Sequence, residues 1–185
     1  MTEYPFSLIP FQDQNIPEIK ITGNITRRHN IVTVRYSLSG KIEDILFPEV
    51  SSQPGRRDEL WLATCFEFFL AIPDQPQYWE FNLSPSGDWN IFRMDSYRRV
   101  GFREEKSIDE LKFEVRRDAD CFSINGSVDI HPIIHSEVQI QAGITTVIQI
   151  GDGRESYWAL THPRPQADFH LRKSFILALE GSDRL

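Results

Sequence analysis

The chain is poor in the residues that most often carry redox, metal or membrane function. It has two cysteines and two methionines among 185 residues, and nowhere do the roughly 18 consecutive apolar residues of a membrane-spanning helix occur. The first eleven residues, MTEYPFSLIPF, lack a positive amino-terminal region and an unbroken apolar stretch, so no signal peptide is expected. Cys65 and Cys121 both fall inside apparent strands, and without an export signal they read as small buried thiols, not as a disulfide. A reducing, cytoplasmic compartment is the expectation. No basic block is present either. The net charge is −7, and the arginine doublets at 27–28, 56–57, 98–99 and 116–117 are scattered between apolar runs, which argues against binding a nucleic-acid backbone. No Gly-x-Ser-x-Gly motif occurs, and Gly151-Asp152-Gly153 is too short to hold a phosphate and reads as a turn.

What the chain does have is aromatic side chains in short alternating runs: thirteen Phe, four Trp and five Tyr. Residues 32–39 alternate Val, Val, Tyr, Leu with polar partners; 65–72 alternate Phe66, Phe68, Leu70, Ile72 with Cys65, Glu67, Phe69, Ala71; 113–117 and 122–130 flank a polar turn; 144–150 is a β-branched run, and 157–160 follows it. Period-two alternation with turn signals between segments predicts strands. Their spacing of about 8 to 15 residues predicts a single all-β domain over residues 1–185, an antiparallel β-sandwich of immunoglobulin-like or jelly-roll type. Helix is expected only as single turns near 107–111 and 132–138. The long polar loop 48–59 leads to Leu60 and Trp61 at the start of a strand.

The stretch 78–94, YWEFNLSPSGDWNIFRM, predicts a hairpin in which Trp79, Phe81 and Leu83 face one way with Trp89 and Ile91. Side-chain parity then puts Glu80, Asn82, Asn90 and Phe92 on the other face. Placing Glu67 with Glu80 and Asn82, away from the aromatic core, requires an even loop or a bulge between residues 72 and 78, because an unpaired carboxylate in the core costs several kcal/mol. Carboxylates and amides around an exposed aromatic suit a pyranose, whose hydroxyls take paired hydrogen bonds while its C–H face lies on a π surface. The plain alternative is a solvated sheet face. Glu67 and Glu80 are also the one pair suited to glycosidase acid and nucleophile, but on a shallow, wet face neither is tuned for catalysis, so non-catalytic binding is expected.

Three blocks, RRDELWLATCFEFFL (56–70), YWEFNLSPSGDWNIFRMDSYR (78–98) and SYWALTHPRPQADFH (156–170), resemble the DOMON-like bacterial proteins, relatives of the carbohydrate-binding modules of family nine. The resemblance runs over almost the whole chain. It implies a two-sheet sandwich whose concave face holds a sugar or haem. Within the sugar-binding modules two tryptophans sandwich a terminal sugar, and carried onto this chain that implies Trp61 and Trp158, with Glu80 and Asn82 as the polar pair. The ligand-binding set is therefore Trp61, Glu67, Glu80, Asn82, Phe92 and Trp158, with His162 closing the pocket and no resident metal or cofactor. Haem-carrying relatives imply an alternative in which Met94 and His162 ligate haem b. A third reading is an interaction domain with no small ligand. His131 and His135 have zinc-like i, i+4 spacing, but Pro132 lies between them and no third ligand follows.

Overall fold

A computed structural model describes residues 2–11, 17–98, 101–151 and 153–181. Arg99 of the 98–99 doublet and Asp152 of the predicted Gly-Asp-Gly turn lie outside these. Among the described residues, thirteen strands run in chain order: β1 (Glu3–Ser7), β2 (Ile9–Pro10), β3 (Ile19–Arg28), β4 (Ile31–Gly40), β5 (Cys65–Ala71), β6 (Tyr78–Leu83), β7 (Trp89–Met94), β8 (Arg103–Glu104), β9 (Lys112–Arg117), β10 (Cys121–Asp129), β11 (Ile140–Gln149), β12 (Glu155–Ala159) and β13 (Leu177–Leu179). They form two antiparallel sheets, ordered β1-β3-β4-β10-β9 and β2-β12-β11-β5-β6-β7-β8, and β13 shares the β12 edge of β11. The all-β sandwich is as expected.

The core between the sheets is built by the alternating apolar positions. On β4, Val32, Val34, Tyr36 and Leu38 are buried; on β5, Phe66, Phe68 and Leu70; on β6, Trp79, Phe81 and Leu83. Phe68 stacks on Phe81 at 4.4 Å between ring centroids, and Phe66 stacks on Phe122 from the opposite sheet at 5.3 Å. Each such ring, fully buried, contributes about 1.5–3 kcal/mol relative to exposure. Tyr36 crosses the gap between the sheets and donates its hydroxyl to the Glu67 carbonyl at 2.6 Å, which fixes β5 at that residue.

The hairpin registers follow side-chain parity. Phe68 opposes Phe81 and Glu67 opposes Asn82, because the β5–β6 connection spans an even run, residues 72–77. Asn82 opposes Asn90 and Glu80 opposes Phe92. Gly87, at φ 95°, closes the β6–β7 turn in a conformation side chains avoid. Three local expectations are corrected. Leu60 and Trp61 form a 3₁₀ turn, Leu60–Leu62, before β5 instead of opening the strand. Residues 107–111 form no turn of helix, whereas 132–138 does hold hydrogen-bonded single turns, Ile134 N–H donating to the Ile130 carbonyl at 2.8 Å; the short 3₁₀ helices lie at Ile42–Asp44, Leu60–Leu62 and Arg172–Ser174. Cys121 is exposed at the start of β10, its thiol turned to Asp118, while Cys65 is buried as expected.

Candidate functional site

The face of the second sheet that points away from the sandwich core carries a polar row. Register places Thr145 of β11 beside Glu67 of β5, Glu67 beside Asn82 of β6, and Asn82 beside Asn90 of β7. The solvated face weighed as the alternative, and the shallow, wet setting expected for both carboxyls, are not what forms. Glu67 is 2% exposed, Glu80 5% and Asn82 0%, because later and looser parts of the chain fold over the sheet. A second small apolar cluster covers one end, made of Phe69, Ala71, Tyr78, Phe92, Met94 and Phe175, with Trp61 and Phe169 packed against it. Gly143 is what lets Phe175 lie flat on β11: a Cβ there would stand 2.7 Å from the ring.

The rest of the face remains open as a cavity of about 480 Å³. Its floor is Glu67, Glu80 and Val147; its walls include Trp61 and Phe102 on one side and Tyr157 and Phe169 on the other, with Arg98, Glu155 and His170 around them. The sheet order separates the two aromatic sides, since Tyr157 lies on β12 and Phe102 immediately before β8. Trp61 meets Phe92 and Phe102 edge-on at 5.5 and 6.4 Å, and Tyr157 meets Phe169 at 6.0 Å.

Burial governs the electrostatics of the floor. Loss of hydration, and then the facing Glu80, push the Glu67 carboxyl well above its ordinary value. Burial likewise lifts Glu80 to about 7, against the hydrogen bond it accepts from the Asn82 amide at 2.9 Å. Glu67 accepts the Thr145 hydroxyl at 3.0 Å. His170 stands 3.9 Å from Glu80, yet burial, and then the nearby Arg98 charge, lower its imidazole to about 4, so the contact is not an ion pair. The Arg98 backbone N–H donates to the Tyr78 hydroxyl at 3.2 Å, and that hydroxyl, 3.0 Å from His170 Nδ1, can donate its own proton to the ring. In that arrangement the neutral imidazole carries its proton on Nε2, 3.9 Å from the Glu80 carboxyl.

Asp168 secures this wall. It accepts hydrogen bonds from the Tyr97 hydroxyl, from Arg98 Nε at 3.2 Å and from the His170 backbone N–H at 3.2 Å, and pairs with Arg98 Nη2 at 2.9 Å. Burial alone would raise its carboxyl, but the Tyr97 and Arg98 hydrogen bonds outweigh that and hold it below the usual range. The 56–58 segment does comparable work at the other end. Arg56 stacks over Trp89 at 4.3 Å and donates to Asn90 at 2.9 Å, and the Asn90 amide donates to the Arg57 carbonyl and to Asp58.

Of the residues singled out in the sequence, Trp61, Glu67 and Glu80 come together at the cavity. Asn82 lies beneath it, 0% exposed, holding Glu80. Three placements are corrected. Trp158 is 3% exposed and belongs to the core between the sheets, opposite Thr146, its indole N–H donating to Ser156; its neighbour Tyr157 points to the cavity instead. Phe92 is not an open platform: Phe102 stacks on it at 4.8 Å and Trp61 covers it edge-on, so Phe102 presents the exposed ring. His162 bonds the Ile9 carbonyl at 3.0 Å and packs on Phe11, at the β2 edge, and the histidine at the cavity is His170. The haem pair fails on the same geometry. Met94 is fully buried on β7, five strands from β2 in the sheet order, or roughly 24 Å at the usual strand spacing, too far to share one iron with His162. Sequence reasoning also missed Phe102, Phe169 and Tyr157. Parity along β12 was the available signal for Tyr157; Phe102 and Phe169 sit in segments without periodicity. Among the described residues, no group of three or more His, Cys, Asp or Glu is placed to hold a metal ion, and no helix is long and apolar enough to cross a membrane.

No protein-family model matches the chain, and no curated protein matches it. Solved structures do. A protein from Bacteroides uniformis ATCC 8492, proposed to be carbohydrate-binding, superposes with a TM-score of 0.68 at 10% identity, over 94% of this chain and 83% of its own. A carbohydrate-binding module of family 9 from Caldicellulosiruptor kristjanssonii, in complex with cellotriose, gives 0.55 at 10% identity over 86% and 74%. The module from the same organism in complex with glucose gives 0.51 at 10% identity over 93% and 81%. At this identity the likeness is one of fold.

Proposed function

We propose that the cavity above Glu67 and Glu80 binds a carbohydrate, or a similarly polyhydroxylated small ligand, without covalent chemistry. The observation that carries this is the pairing of a buried polar floor with aromatic side chains on both flanks of one open cavity. Such a site gives ring C–H groups a π surface and gives hydroxyls fixed hydrogen-bond partners. The sandwich shared with family 9 modules, two of them solved with cellotriose or glucose bound, supports the same reading. Trp61 and Phe102 form one side of the receptacle, Tyr157 and Phe169 the other, and Glu80 and His170 reach the ligand's hydroxyls.

The test is a glycan array followed by calorimetry on the Trp61→Ala and Phe102→Ala variants. Each should bind about tenfold more weakly, the equivalent of ~1.4 kcal/mol, with a cooperative melt that shows the variant folded. A sugar bound equally well by both variants would show that it does not use this cavity. Turnover of aryl glycosides between pH 5 and 8, abolished by Glu67→Gln, would replace binding with hydrolysis.

A further inference from the structure

The floor of the cavity presents two carboxyl groups and no counter-charge. Glu67 is 2% exposed, uses one oxygen to accept the Thr145 hydroxyl, and has no hydrogen-bond partner for the other among the described residues. Glu80, diagonal to it on the next strand, is held by the Asn82 amide and faces an imidazole that stays neutral. Two buried carboxyls facing each other cannot both ionise cheaply without a cation. Among the described residues lining the cavity, Arg98 is the sole arginine or lysine, and Asp168 already holds it at 2.9 Å. Glu155, at the rim, adds a third carboxylate and accepts the Tyr157 hydroxyl at 2.6 Å.

Around this acidic floor stand four aromatic side chains, Trp61, Phe102, Tyr157 and Phe169. Aromatic faces attract cations as well as sugar C–H groups, and most strongly where water is excluded. An acidic floor under aromatic walls is complementary to a positively charged group. A neutral sugar would leave the pair's protons in place and gain nothing from its charge.

We infer that the ligand of this cavity carries a cationic nitrogen, and that an amino sugar, whose ammonium sits between Glu67 and Glu80, fits it better than the corresponding neutral sugar. The inference rests on the sugar-pocket reading and names its substrate class. When the ammonium enters, the carboxyl pair gives up a proton to solvent: one positive charge enters the site and one leaves. The groups facing the pair are Cys65, Tyr78, Asn82, Thr145 and His170, and none supplies a positive charge in competition at neutral pH. Arg98 stays tied to Asp168.

Calorimetry at pH 6.0 with glucose, galactose and mannose, their 2-amino-2-deoxy counterparts and their N-acetyl counterparts tests this. Titrations in two buffers of different ionisation enthalpy count the protons released. At least one amino sugar should bind tenfold or more tightly than both of its neutral counterparts, with release of a proton. Glu80→Gln should remove that preference and the proton release, while a melting curve shows the variant folded. If a parent or N-acetyl sugar binds as tightly as the amino sugar, the cationic inference is overturned and the sugar pocket stands. If none of the nine binds, both readings are overturned.

Discussion

Replacing Glu80 with glutamine should make the protein more stable, by an amount that grows as pH rises from about 5 to about 8. In the unfolded chain Glu80 titrates near 4.5, whereas in the fold burial lifts it to about 7. Between those values the folded state holds a proton that the unfolded state has lost, so stability falls as pH rises through that window, and the loss is complete above it. A shift of this size corresponds to about 3 kcal/mol. A glutamine at this position has no charge to bury, and its side-chain oxygen can still accept the Asn82 amide. The substitution also removes the carboxylate that Glu67 faces, so it relieves a second group in the same direction. His170, neutral above about 4, contributes no compensating charge that the variant would lose. At pH 5 the two proteins should therefore melt together. At pH 8.5 the variant should melt higher by ~6–12 °C, at about 2–4 °C per kcal/mol for a chain of this size. Melts followed by circular dichroism at both pH values are sufficient, since effects of other groups cancel in the difference. Equal melting temperatures at pH 8.5, or a variant less stable there than the parent, would refute the claim that this carboxyl is buried without a counter-charge.

Three further outcomes are expected. Trp158→Ala should cost about 3–5 kcal/mol in urea unfolding, because that indole fills the core between the sheets; a mild variant with selectively lost ligand binding would mean that Trp158 lines the cavity after all. Asp168→Asn should loosen the wall that carries His170, lowering stability by about 1–3 kcal/mol at pH 7. The Asp168 carboxyl lies below its usual range, so the difference between parent and variant should shrink as pH falls through that depressed value, and a difference that instead grows in acid would contradict the assignment. Gly143→Ala should push Phe175 off β11, where a Cβ would come within 2.7 Å of it; the expected cost is about 1–3 kcal/mol, read by chemical denaturation, and an unperturbed protein would show that Phe175 does not seal that end of the sheet.

Alternation along β5, β6 and β7 made much of the floor legible before any coordinates. A period of two leaves little freedom once Phe66, Phe68 and Phe81 must share a core, and Glu67, Glu80 and Asn82 are then driven to the opposite side. Trp158 went astray for the complementary reason. It was placed by resemblance, and the β-branched run of β11 beside it is buried on both faces, so it gives no parity with which to check the placement. Tyr157 and Trp158 are adjacent and point in opposite directions. The covering segments have no period, so parity could not assign individual residues within them to the cavity. A 3₁₀ turn supplies Trp61, and residues between β7 and β8 and after β12 supply Phe102, Phe169 and His170. Their positions are set by individual anchors such as Asp168 and by the flat space above Gly143. Strand β3 was missed although Ile19, Ile21 and Ile25 alternate, because Gly23 interrupts the apolar series where Phe6 crosses it.

The Asp168 anchor separates two jobs that a strand-built receptacle would combine. Tyr97, Arg98 and Arg164 converge on that carboxylate from outside the sheet, so the ceiling has a fastening of its own, beside its hydrogen bonds to Tyr78 on β6. Phe102 and Phe169, which face the cavity from segments outside the ladder, take no part in the backbone pairing of the sandwich. Homologous chains should accordingly differ in what they accept while keeping the same frame, and a designer seeking a new specificity would leave the fastening alone and vary what hangs from it.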